Sequence, residues 1–233
     1  MDASPPTPPV RLLSTEPRKI WLEVLVMYAL AIGLIGLFKG LSFVPFIREN
    51  LWGIAGIVFL FLPLEYLNRR RADLAAFGLT WRGLGRGLLW AGLLAAIAFP
   101  LYIPAYRWWF GRSEFQLALP GNFWQEVVGN FLLVALPEEA FYRGYMQTRL
   151  DQVFRGRVRV LGAELGWGAV LATALFALGH LVEFRLDRLG TFLPGLVFAW
   201  LRARTGTIAA GVVFHALCNL WAQVLRYGYF GTG

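Results

Sequence analysis

The sequence predicts an all-α membrane protein, a polytopic bundle of about seven spans (six to eight) around a polar cavity embedded in the bilayer. Three observations lead there. Of 233 residues, 58% are hydrophobic and 15% are charged, where a soluble domain carries about 25% charged residues. The apolar residues come in blocks, not in the helical or alternating stripes of a core with a solvated face. A few charges fall inside those blocks, where a lipid-facing surface would not tolerate them.

The elements follow in chain order. Residues 1–17 include "SPPTPP", Ser4 to Pro9, a polar, Pro-rich composition expected of a disordered tail. Residues 18–226 form a single bundle without internal repeats. Its spans are 20–38, 51–67, 87–106, 123–147, 164–182, 190–201 and 206–225, with the sixth the shortest. The first is a retained span, because "KGLSF" follows it where a cleaved signal peptide would place small residues. Between the second and third, Asn68 to Gly87 is basic and amphipathic, and is expected to lie along the membrane surface.

The formal charge is +8, but its basic residues sit in short gaps between apolar blocks. There they act as topogenic signals facing an anionic leaflet, so nucleic acid is not an expected partner. With the N-terminus in the cytoplasm, cytoplasmic segments hold fourteen Lys and Arg against seven on the other side, Arg143 counted in neither. An odd number of spans then puts the C-terminus outside. The Arg-rich, Lys-poor composition points to a bacterial inner membrane. The lone Cys218 excludes an intrachain disulfide and any multi-cysteine metal site.

The stretch "LPEEAFYRGY", Leu136 to Tyr145, concentrates three charges in an apolar span. Each costs roughly 2.5–3.5 kcal/mol at mid-bilayer, so Glu138, Glu139 and Arg143 face the bundle interior, pair, or stay near the interface. Glu139 and Arg143 are spaced i,i+4 with the acid first, the better orientation for a helical ion pair. Glu138 points about 100° away on an α-helix and remains an unpaired carboxylate, a candidate base. The plainer alternative is a helix-end cluster snorkelling to the interface. The chain's two histidines, His180 in "FALGH" and His215 in "HALCN", also lie in spans. His215 and Asn219 share a helix face, where two N–H donors suit a developing oxyanion. Alternatively they form an interhelical polar clasp worth about 1 kcal/mol.

In order, "EEAFYR", "FALGH" and "HALCN" fit EExxxR, FxxxH and HxxxN. This trio resembles the CAAX-protease and bacteriocin-processing (Abi) family of intramembrane proteases, over residues 120–225. The resemblance implies helices enclosing a conical cavity open to one side. It implies Glu138 as the catalytic glutamate, with His180 helping it polarise a water. His215 and Asn219 would stabilise the oxyanion, and Glu139–Arg143 would be a supporting pair. The implied reaction is endopeptidase cleavage of a membrane-anchored protein or peptide tail. A zinc site of His180, His215 and Glu138 is the alternative, but no HExxH pair is present, so no metal or other cofactor is favoured. Two rivals stand outside proteolysis: a transporter or proton-relay protein, and a non-proteolytic immunity member of the family. One expectation is strained. Idealised spans place Glu138 and His180 at different depths, unless the fourth helix extends past Tyr145, the fifth starts deeper than Leu165, or one tilts.

Overall fold

The computed structural model describes residues 13–154 and 156–231. Seven long helices run in chain order among them. Helix α1 is Pro17–Gly40, α2 Pro45–Arg69 and α3 Leu84–Phe110. Prolines at 17 and 45 open the first two, at a position where a missing N–H costs the helix nothing. These three are long and apolar enough to cross a membrane by length and composition. Their outer faces expose Leu22, Val26, Leu30, Leu89, Leu93 and Ile97, as lipid solvation requires.

Helix α4 runs from Phe123 to Val153, roughly 45 Å at 1.5 Å per residue. It alternates α and π segments: Phe123–Gly129, Asn130–Ala135 (π), Leu136–Glu139, Ala140–Gln147 (π) and Thr148–Val153. Pro137 explains the first widening, since it cannot donate to the Leu133 carbonyl one turn earlier. Gly56 of α2 packs onto that carbonyl so closely that a Cβ there would lie 2.5 Å from its oxygen.

A β-hairpin follows, β1 Arg157–Val160 antiparallel to β2 Ala163–Gly166, with Val160 opposite Ala163. Leu161 and Gly162 turn it, both at positive φ. Helix α5, Trp167–Gly179, ends in a 3-10 turn at His180–Glu183, and a second such turn, Leu186–Thr191, leads into α6, Phe192–Thr205. Helix α7 is Ala209–Phe230. Its C-terminus lies at the opposite end from the start of α1. There, Gln116 N–H donates to the Gly228 carbonyl, and the Tyr227 hydroxyl to Glu126, at 2.9 Å each. At the hairpin end, Arg149 donates to the Ser14 carbonyl.

The seven expected spans reappear as seven helices, but not as seven equivalent crossings. Helices α5 and α6, at about 20 Å each by their rise, are too short for a hydrocarbon core of about 30 Å. Helices α4 and α7 are long but carry the polar residues. The fifth element also starts as a hairpin, where an all-helical chain was expected. Two further segments make contacts that composition did not announce. Of the expected tail, Leu13 packs on the apolar core and the Ser14 carbonyl accepts from Arg149, Thr15 to Pro17 are exposed, and 1–12 lies outside the described residues. The Asn68–Gly87 segment does not simply lie on the surface. Phe77 is buried, and the Gly78 carbonyl accepts hydrogen bonds from Ile208 N–H at 3.0 Å and Thr207 Oγ1 at 3.2 Å. Gly144 of α4 makes room, a Cβ there lying 3.2 Å from the Phe77 carbonyl oxygen.

Candidate active site

Glu138 and Glu139 occupy the short α turn between the two π segments of α4. Glu139 and Arg143 are both 0% exposed, with Arg143 Nη1 3.2 Å from Glu139 Oε1. Burial on that scale demands further partners, and neighbouring helices supply them. Arg143 Nη2 donates to the Gly195 carbonyl of α6 at 3.1 Å. Its guanidinium lies 4.3 Å from the Phe176 ring centroid and 5.2 Å from that of Phe198, favourable cation–π geometry.

Helix α7 brings His215 against both acids. Its Nδ1 lies 3.1 Å from Glu139 Oε1, and its Nε2 lies 3.8 Å from Glu138 Oε2. The carboxylate assigns the Nδ1–H to the Glu139 side, which turns Nε2 toward Glu138. The Phe198 ring stacks on the imidazole, with centroids 4.7 Å apart and planes 14° apart. Two glycines permit this convergence. A Cβ on Gly211 would sit 2.7 Å from Glu139 Oε2, and one on Gly195 would sit 3.0 Å from Arg143 Nη2.

His180 belongs to the same region but makes a different bond. Its Nδ1 lies 2.9 Å from the Phe176 carbonyl oxygen, and its ring meets Phe176 edge-on at 4.7 Å. The structure therefore brings His215, not His180, within 4 Å of Glu138. The depth conflict disappears, however. Helix α4 continues to Val153 and α5 begins at Trp167, so Glu138 and His180 lie similar distances from the hairpin. Tyr142, one turn beyond Glu138, approaches Gly179 so closely that a Cβ there would meet its hydroxyl at 2.7 Å. Asn219 lies one turn past His215 and is partly exposed. Cys218, a free thiol, instead packs with the α3–α6–α7 cluster.

Polar capacity remains open here. Glu138 Oε2 and Glu139 Oε2 are buried and without a hydrogen-bond partner among the described residues. Since buried polar atoms are normally paired, two free carboxylate oxygens mark a place prepared for another group. Among the described residues, no three His, Cys, Asp or Glu side chains are gathered as a metal ion needs. Of the zinc set His180, His215 and Glu138, His215 Nε2 and Glu138 Oε2 stand 3.8 Å apart, while His180 holds the Phe176 carbonyl.

Residues 120–221 match the family model described as type II CAAX prenyl endopeptidase Rce1-like. No curated protein and no solved structure matches the chain. The matched region spans α4 to most of α7 and contains all six polar residues above, while α1–α3 lie outside it. At family level the likeness is to type II CAAX prenyl endopeptidases, and the long apolar helices are those of a membrane protein. Sequence reasoning overlooked four positions here: Thr173, whose hydroxyl donates to the same Gly195 carbonyl as Arg143 at 3.4 Å, and Gly195, Phe198 and Gly211. Gly211 was legible, being one turn before His215 on the face shared with Asn219. The other three sit on helices whose approach no local pattern announces.

Proposed function

We propose that the protein is an intramembrane endopeptidase that hydrolyses membrane-anchored protein or peptide tails with a water activated by Glu138. The observation that supports this most directly is the row Arg143–Glu139–His215–Glu138. Two carboxylates and one guanidinium leave one negative charge in a dry site, which a single proton on His215 or Glu138 cancels. That proton is what acid–base catalysis needs.

In this reading the water oxygen bonds to the scissile carbonyl carbon while Glu138 takes its proton. The resulting oxyanion accepts hydrogen bonds from the Asn219 carboxamide and from protonated His215, which Glu139 holds in place. Glu138 then delivers the proton to the leaving nitrogen as the C–N bond breaks, giving a carboxylic acid and an amine, which become a carboxylate and an ammonium by proton transfer. His180, held by the Phe176 carbonyl, orients the water or substrate from the α5 side. No step requires a metal. The basic, hairpin end of the bundle faces the cytoplasm of a bacterial cell, placing the N-terminus inside.

The test is processing of lipid-anchored tail reporters in membranes carrying wild-type protein or Glu138→Gln. Loss of cleavage with unchanged protein level is expected. Equal cleavage by both would remove the assignment, and proton-coupled uptake in proteoliposomes without cleavage would assign a transporter instead.

A further inference from the structure

A second polar site lies outside the glutamate cluster, at the hairpin end of the bundle. A cavity of about 640 Å³ opens between the last turns of α4, the β-hairpin and the C-terminal end of α6. Its lining includes Gln147, Asp151, Arg157, Arg159, Glu164 and Arg202. The hairpin walls it asymmetrically. Alternation along β1 puts Arg157 and Arg159 on the cavity side and Val158 and Val160 on the other. Val158, Val160 and the turn residue Leu161 are 68%, 40% and 83% exposed. Trp200 Nε1 pins this wall by donating to the Val160 carbonyl at 2.9 Å.

The polar groups facing the cavity are incompletely paired. Gln147 is 3% exposed. Its Nε2 donates to the Ala199 carbonyl at 3.3 Å, while its Oε1 has no partner among the described residues. Asp151 Oδ1 and Arg202 Nε are likewise buried without partners there, although Arg202 Nη2 donates to the Ala76 carbonyl at 3.1 Å and to Thr148 Oγ1 at 3.4 Å. The closest carboxylate contact of Arg157 is 4.0 Å, to Asp151. The cavity thus presents guanidinium donors for an anion beside the Glu164 carboxylate and two buried acceptors, Gln147 Oε1 and Asp151 Oδ1, that seek an N–H or O–H. Arginine forks match the oxygens of a phosphate bidentately.

We propose that this cavity binds a phosphate ester that also carries a hydrogen-bond donor, supplied as the headgroup of a bilayer phospholipid. Arg157, Arg159 and Arg202 hold the phosphate; Gln147 Oε1 and Asp151 Oδ1 accept from the headgroup's hydroxyl or ammonium. The exposed valines and Leu161 point to a lipid source rather than a soluble one. They form an apolar strip on the outer face of the wall, where acyl chains would run beside a headgroup seated inside. The site is independent of the proteolytic assignment, since none of its side chains belongs to the glutamate cluster.

The test uses the full chain, purified and delipidated in detergent, with lipid binding read by native mass spectrometry and by thermal shift. Phosphatidylglycerol and phosphatidylethanolamine should bind at least tenfold more tightly than phosphatidylcholine, whose headgroup has no donor. Arg157→Gln with Arg159→Gln, both on an exposed strand, should lose that binding by tenfold or more. Arg18→Gln with Lys19→Gln, a basic pair at the same end, should keep it. Equal affinity for all three lipids, or an equal loss in the control pair, would reduce the effect to general surface charge and overturn the proposal. Binding of glycerol 3-phosphate as tight as that of the lipids would overturn the lipid source.

Discussion

Two buried acid–arginine pairs stand about one and a half helical turns apart on α4, and they are built differently. Arg149 at the hairpin end is saturated. Its Nε and Nη2 reach both oxygens of Glu23 at 2.8 Å, Nη2 also reaches the Ser14 carbonyl, and Nη1 reaches Gln152. The Tyr145 hydroxyl adds a further bond to Glu23 at 2.9 Å. At the centre, Arg143 Nε is without a partner among the described residues, as are one oxygen each of Glu139 and Glu138. Both pairs bear the desolvation cost of burial, but only the outer one is compensated throughout. A pair that ties helices together can satisfy every atom. A site that must receive water and a substrate carbonyl has to leave some open.

The largest effect that would sharpen this contrast is on turnover. Glu138→Gln preserves shape and hydrogen bonding while removing the base, so cleavage should fall by roughly 10²–10⁴-fold with the melting temperature nearly unchanged. Next come the two pairs themselves. Arg149→Met and Glu139→Gln each strand a buried charge, at a cost of about 3–5 kcal/mol. Detergent melting should fall in both, yet folded Arg149→Met at low temperature should retain its specific activity while folded Glu139→Gln should not. If the two behave alike, the distinction between tie and site is wrong. Because His215 also leans on Glu139, Arg143→Met combined with Glu139→Leu should recover stability better than either change alone without recovering cleavage.

A smaller effect probes the glycine that admits the site. Gly211→Ala forces a methyl against Glu139 Oε2, and crowding of that kind costs about 1–3 kcal/mol. Cleavage should drop with the melting temperature, whereas Gly33→Ala, in open space on α1, should change neither. The smallest expected effect is none. Prolonged chelation followed by assay should leave turnover unchanged, and loss that zinc restores would favour the zinc set His180, His215 and Glu138 instead.

Much of the architecture could be read from the chain alone, because insertion energetics act residue by residue. Apolar blocks near twenty residues define helices wherever they fall, and the seven expected segments match the seven observed helices in order. The pairing of Glu139 with Arg143 was legible for the same reason, being contained within one helix. Tertiary structure decided what depends on neighbours. The fourth helix runs on to Val153 because Arg149 finds Glu23 and Ser14 there, and this extension brings Glu138 level with His180. His215 reaches the glutamates before His180 does, because Gly211 and Gly195 let α7 and α6 close on α4. Within the largely exposed segment from Asn68 to Gly87, Phe77 and Gly78 tuck inward, where Ile208 and Thr207 bond the Gly78 carbonyl. None of these follows from composition or period. Each is a contact between residues distant in sequence, and only packing brings them together.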